Sequence, residues 1–246
     1  MNCALAHPKK PKTKNRPKNE LPHGLRNTEK LKSFIRTIGV ELTGIADLDT
    51  LEKMPVGMSL NAFREHYRYA IVMGAPLGRL EKEAPGIEAS IYLEKAALEV
   101  VGYLEAKSRW GLVIHTEDEF DPINRTGLMS LKVLAKAAGL GWQGRSLLIV
   151  SPSFGPIHRL IAVLTDMPLK ADTAIPNQCG DCSACIRECP ARALTLVTFE
   201  DHPHTREEVL NLHACLGDHG CKACLVACPY QQNACTNDNR QERCTT

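Results

Sequence analysis

The chain has 246 residues and a mass of 27.1 kDa, room for one or two domains. At 43% hydrophobic and 24% charged residues it holds enough apolar material for a core, which excludes global disorder, and no run approaches the roughly 20 apolar residues of a membrane-spanning helix, so no membrane insertion is expected. The net charge of +2 hides an asymmetry: within residues 1–30 eight Lys or Arg stand against Glu20 and Glu29, a net of +6 that leaves −4 on the remainder.

The opening run MNCALAHPKKPKTKNRPKNE places its basic residues after a short apolar start and contains no hydrophobic stretch. This is the reverse of a secretory signal, and a cytoplasmic location is expected. Residues 1–27 lack apolar periodicity and read as a disordered basic arm, either a solubilising extension or a contact to nucleic-acid phosphates. Order is expected from Thr28, a polar cap before Leu31, Phe34, Ile35 and Ile38 at helical spacing, with Gly39 as the stop. Short apolar segments at Leu42–Ala46, Tyr69–Met73 and Leu112–Thr116 suit strands. Between the last two, Leu93, Ala97, Val100 and Leu104 mark one face of an amphipathic helix. A further helix is expected over Ser130–Ala138, ended by Gly139, followed by strands at Ser146–Val150 and His158–Thr165. Residues 28–170 therefore read as a mixed α/β domain and residues 171–246 as a second, cysteine-rich one, an α+β chain.

Ten of the eleven cysteines lie after residue 178, which speaks for metal ligation rather than a disulfide framework. In CGDCSACIRECP, Cys179, Cys182, Cys185 and Cys189 stand at spacings of two, two and three ahead of Pro190, the bacterial ferredoxin pattern. Three thiolates on a tight loop take three corners of a cubane, and the fourth, carried at the start of a helix, turns toward a second cluster. The second run, CLGDHGCKACLVACPY, offers Cys215, Cys221, Cys224 and Cys228 ahead of Pro229, its first gap widened to five residues. By this cross-over one [4Fe–4S] cluster takes Cys179, Cys182, Cys185 and Cys228, and the other takes Cys215, Cys221, Cys224 and Cys189. Two structural zinc sites are the rival reading, but zinc leaves the third cysteine at spacing two and both prolines unexplained. Cys3, Cys235 and Cys244 remain as free thiols, with Cys235 a substitute for Cys215 if the wide gap fails to close.

GLGWQGRS, Gly139 to Ser146, fits G-x-G-x-x-G and approaches a phosphate loop in which Arg145 replaces lysine. Those motifs need a strand before the glycines and a helix after them; the order here is reversed, which argues against nucleotide binding. The loop is either a helix C-cap and turn or a backbone approached closely by a large flat ligand. Tyr92 is either a proton donor or a core residue with its hydroxyl at the surface. The histidines form no H-E-x-x-H or similar set, so no catalytic zinc is expected.

The run LKVLAKAAGLGWQGRSLLIVSPSFGPIHRLIAVLTDMPL followed by CGDCSACIRECP resembles the corrinoid-dependent reductases, namely epoxyqueuosine reductase and the reductive dehalogenases. The likeness spans about 100 residues through the second cysteine run and is specific in AGLGWQGR, SFGPIHRLIAVLTDMPL and the paired cysteine motifs. It implies a nitroreductase-like N-terminal domain that holds cobalamin, a ferredoxin-like C-terminal domain whose two clusters feed electrons to cobalt, and a low-potential electron donor. It further implies that Gly139, Gly141, Trp142, Gly144 and Arg145 border the corrinoid pocket, that Tyr92 matches the dehalogenase proton donor, and that tRNA is a partner for the basic arm. The substrate class would be a small molecule or a modified nucleoside. One departure counts against tRNA modification by the usual mechanism: the catalytic aspartate position of epoxyqueuosine reductase holds Arg125 and Thr126, with Asp121 the nearest carboxylate. The alternative is a ferredoxin-like electron-transfer protein that binds no corrinoid.

Overall fold

The computed structural model describes residues 21–51, 60–76, 85–115, 127–157, 159–200 and 202–231. Residues 1–20 of the basic arm, Asp121, Arg125, Thr126, Cys3, Cys235 and Cys244 lie outside the described residues. The elements run α1 (Leu21–Thr37), β1 (Leu42–Asp47), α2 (Asn61–Arg64), β2 (Tyr69–Ala75), α3 (Pro85–Glu105), β3 (Gly111–Ile114), α4 (Leu131–Ala137), β4 (Trp142–Gln143), β5 (Ile149–Ser151), β6 (Gly155–Ile157), β7 (Arg159–Thr165), α5 (Ala184–Arg187) and α6 (Ala223–Val226). None of the described helices is long and apolar enough to cross a membrane.

Four strands form an antiparallel sheet in the order β1-β2-β7-β3. The two-residue period of a strand sends alternate side chains to opposite faces. Ile45, Ile71 and Val163, in register across three strands, join Leu31 and Ile35 of α1 and Leu93, Ala97, Val100 and Leu104 of α3 in one buried cluster. Their neighbours Ala46, Ala70 and Leu164 face the other way and pack with Leu134, Ala135 and Ala138 around α4. Small residues on this second face let α4 come close: a Cβ on Gly44 would fall on the carbonyl of Ala138.

Helix α1 begins seven residues ahead of the expected Thr28 cap. Nothing between Leu21 and Thr28 stops a helix, since Pro22 sits in the first turn, where its missing N–H goes unused. Tertiary contacts hold the early turns. Asn27 Nδ2 donates to the Pro168 carbonyl at 3.0 Å, and the Thr28 hydroxyl accepts from Lys170 N at 2.8 Å, so Thr28 serves as a side-chain anchor for the chain leaving β7. Gly39 does end the helix, at φ +93°. The Gly39 N–H reaches Arg36 O and the Val40 N–H reaches Ile35 O, the paired bonds of a left-handed C-terminal cap.

The expected strand at Ser146–Val150 is shorter, Ile149–Ser151. Gly144 N–H bonds Leu148 O and Leu147 N–H bonds Gly144 O, so residues 144–148 make a turn between β4 and β5, with Leu147 at φ +59°. Beyond β7, Asp172 fastens the chain to edge strand β1. Its carboxylate accepts from Lys32 Nζ at 2.6 Å and Ile45 N at 2.8 Å, and its own N–H donates to Ile45 O at 2.9 Å. The outer edge of the sheet is thereby partly covered.

Candidate metal centre

From residue 171 onward the described chain has little regular structure: two four-residue helices, a 3-10 turn at Leu216–His219 and one bridge pairing Leu194 with Leu210. The two cysteine runs form matching halves. Cys185 lies on α5 and Cys224 on α6, and these helices touch. Cys189 follows the end of α5 rather than starting a helix, because the short helix opens one residue before Cys185. Leu147, Leu194 and Val209 form a small buried core around which Cys185, Cys189, Cys224, Ile186, Val197 and Phe199 pack. The left-handed turn at Leu147 is what sends that side chain out of the hairpin and into this shell.

The eight thiols at positions 179, 182, 185, 189, 215, 221, 224 and 228 are free, with no disulfide among them. Burial pushes the Cys185 thiol up to about 11, reinforced by the negative potential of Cys179, Cys224, Cys182 and Cys228. Burial likewise pushes Cys224 up to about 11, and there the sulfur neighbours are Cys215, Cys221 and Cys189. Cys228 is raised by burial and by Cys179 and Cys182, while the N–H groups of Tyr230 and Gln231 pull the opposite way. The thiols of the two runs thus influence one another, Cys185 feeling Cys224 and Cys228 of the second run, Cys224 feeling Cys189 of the first, and Cys228 feeling Cys179 and Cys182. They feel one another electrostatically without converging: among the described residues no group of three or more His, Cys, Asp or Glu could hold a single metal ion.

The glycine loop has a different surrounding from that of a ligand cradle. Gly139, at φ +68°, caps α4, with its N–H on Lys136 O and the Leu140 N–H on Ala135 O. The helix-turn-strand order that argues against a phosphate loop is present. Where side chains would stand at Gly139, Gly141 and Gly144, the protein's own Thr173 carbonyl, Val150 carbonyl and Val150 side chain are already in place. Trp142 is 1% exposed and donates through Nε1–H to Cys179 Sγ at 3.4 Å. Arg145 is 8% exposed and donates to Gly180 O at 2.6 Å and Val197 O at 3.0 Å. Trp142 and Arg145 join the first cysteine loop to the body, while the close neighbours at Gly139 and Gly141 are Thr173 and Val150.

Tyr92 lies on α3, packed against the cluster that α1 and α3 form on one face of the sheet. The glycine loop follows α4 on the opposite face. A side chain on Gly39 would meet the Tyr92 hydroxyl at 3.3 Å. The tyrosine is thus a partly buried residue of α3 that packs beside the end of α1. Asn177 is a site residue that motif reading missed. Its Oδ1 accepts from Cys179 N at 2.9 Å, and its Nδ2 donates to Gln143 O at 3.1 Å and Phe199 O at 3.4 Å. The only trace in the sequence is its place two residues before the first cysteine.

No protein-family model matches the chain. It is 35% identical over 115 residues to the epoxyqueuosine reductase of Aliivibrio fischeri, covering 41% of this chain and 30% of that protein. It is 28% identical over 181 residues to the epoxyqueuosine reductase of Gloeobacter violaceus, covering 68% and 54%. Its fold matches an epoxyqueuosine reductase crystallised with an epoxyqueuosine-modified tRNA-Tyr stem loop, with a TM-score of 0.63 at 17% identity, over 84% of this chain and 65% of that one. It also matches a reductive dehalogenase described with a mechanism for B12-dependent dehalogenation, with a TM-score of 0.64 at 18% identity, over 90% and 35%. Its mixed α/β fold is the one it shares with those solved reductases. In sequence the chain is similar to epoxyqueuosine reductases over part of its length. It spans about a third to a half of the length of these curated relatives.

If the glycine loop is internal packing, Gly141→Ala drives a methyl group into the Val150 carbonyl and costs on the order of 3 kcal/mol, the upper part of the range for overpacking against rigid backbone. Thermal unfolding without added corrinoid would show a clearly lowered midpoint; an unchanged midpoint would restore the ligand-cradle reading.

Proposed function

We propose that the chain is an iron–sulfur oxidoreductase that carries two [4Fe–4S] clusters in residues 171–246, a bacterial ferredoxin-like part, attached to a nitroreductase-like part in residues 28–170. The observation that carries this reading is the meeting of the two cysteine runs, α5 in contact with α6 and Cys185, Cys189 and Cys224 packed on one small apolar core. A cubane takes one thiolate on each of four irons, so its ligands feel one another without meeting at a point. Zinc needs four ligands gathered on one ion. Ligation displaces the thiol protons, which burial and neighbouring sulfurs otherwise retain at neutral pH. The contact of α5 with α6 brings the two sets side by side, as a relay requires.

Electrons from a low-potential donor would enter one cluster, cross to the other and leave to an acceptor that reduces a small molecule or a modified nucleoside. The relatives suggest a corrinoid as that acceptor, a cofactor that supplies a strongly reducing cobalt when bound. The residues expected to border it do not fit a cradle, being occupied by the protein's own backbone and by the Cys179 loop. That observation favours the second reading, an electron carrier with no corrinoid. A cytoplasmic setting and tRNA contact through the basic arm belong to the first reading; the tRNA contact is supported by the stem-loop complex of the structural relative.

Anaerobic reconstitution with iron and sulfide is expected to load about eight irons per chain, four for each cubane. Cys228→Ser should remove the same paramagnetic signal as Cys179→Ser, and Cys189→Ser the same signal as Cys215→Ser. Zinc in place of iron, or pairing of Cys228 with Cys221 in this assay, would defeat the assignment. Titrating the loaded chain with cobalamin separates the two readings: a shift to the base-off spectrum supports the reductase, and an unchanged spectrum at high protein concentration supports the carrier. Removal of residues 1–20 should weaken tRNA binding and flatten its salt dependence, since six Lys or Arg go with them. Equal binding at every salt concentration would dismiss the arm as an RNA contact.

A further inference from the structure

The two thiol sets have unequal surroundings. Around Cys179, Cys182, Cys185 and Cys228, the Trp142 indole N–H points at Cys179 Sγ. Trp142 is held in that pose by its fully buried position and by an edge-on contact with Tyr230, ring centroids 4.8 Å apart at 76°; the Tyr230 hydroxyl in turn donates to Gln178 Oε1 at 3.2 Å. Arg145 brings a buried positive charge to the same loop through Gly180 O, and both of its hydrogen bonds among the described residues go to carbonyls. Its Nε has no partner there. Around Cys215, Cys221, Cys224 and Cys189 the donor to sulfur among the described residues is a backbone group, Ala193 N to Cys189 Sγ at 3.3 Å.

We propose that Trp142 and Arg145 are positioning residues that raise the reduction potential of the cluster on Cys179, making it the higher of the two and the place where a transferred electron rests. The inference builds on the cluster reading above. Reduction adds one electron to the cubane and its sulfurs, so that negative charge on them grows while no proton need move. A donor aimed at sulfur and a nearby buried cation both favour the more negative form, and the burial of Trp142 and Arg145 strengthens their effect. Hydrogen bonds to sulfur and solvent exposure are among the main controls on cluster potential. The direction of flow follows: from the set on Cys215 to the set on Cys179, the side that adjoins β4 and the body of the protein.

The test is a dithionite redox titration of the anaerobically loaded full chain, followed by electron paramagnetic resonance, with Cys179→Ser identifying which signal belongs to which cluster. The Cys179-set midpoint should be the higher in the unaltered protein. Trp142→Phe and Arg145→Gln should each lower that midpoint and leave the other where it was, with Arg145→Lys falling between Arg145→Gln and the unaltered protein. Equal shifts of both signals, or no shift with Trp142→Phe, would overturn the proposal. A readout free of refolding artefacts uses the Trp110→Phe chain labelled with nitrogen-15 tryptophan, in which Trp142 is the one remaining tryptophan. Pulsed resonance on the reduced Cys179-set cluster should show a nitrogen-15 hyperfine coupling. Its absence while both cluster signals are present would sink the inference and leave the cluster reading standing; absence of iron altogether would sink both.

Discussion

Sulfur is the element around which the second half of this chain is arranged, and the governing constraint is electrostatic. Thiols drawn into an apolar shell next to other thiols resist ionising, and the Cys185 and Cys224 side chains are pushed up to about 11 by burial and by their sulfur neighbours. On the proposed reading metal takes up the charge that ionising these thiols would bring. The segments around them contain little helix or strand. Ligation on the proposed reading therefore does for residues 171–231 what sheet pairing and helix packing do for the body.

The joint between the two parts is built from polar contacts with specific geometry. Asn177 ties the Cys179 backbone to Gln143 and Phe199, Arg145 reaches from the β4–β5 turn to Gly180 and Val197, and Trp142 reaches from β4 to the Cys179 sulfur. Leu147 completes the apolar shell from the body side. A loop that resembles a cofactor-binding element thus acts as an internal clasp. Glycine at 139, 141 and 144 follows from the same geometry, since backbone or side chains from elsewhere in the chain occupy the space a Cβ would need.

Much of the body was legible because its signals are local. Short apolar runs located β1, β2, β3 and β7 to within a few residues, and four-three-four spacing located α3. Gly39 and Gly139 both end helices in the left-handed conformation that glycine tolerates best. The start of α1 was not legible, because the turns before Thr28 are held by Pro168 and Lys170, about 140 residues away in sequence. The shortening of the strand after Ser146 likewise reflects the demand of the cysteine shell for Leu147.

By itself the sequence determined where the thiols stand, and spacings of two, two and three before a proline are what point to the proposed clusters, because spacing along a tight loop sets which sulfurs can approach a common centre. Tertiary structure alone decided which face each remaining candidate occupies. Tyr92 and the glycine loop are both compatible with an active site when read in one dimension, yet a four-stranded sheet stands between them. Helical periodicity tells which residues of an element are buried and says nothing of which side of a sheet the element packs on; that choice depends on chain connections and core volume, quantities that exist only in three dimensions.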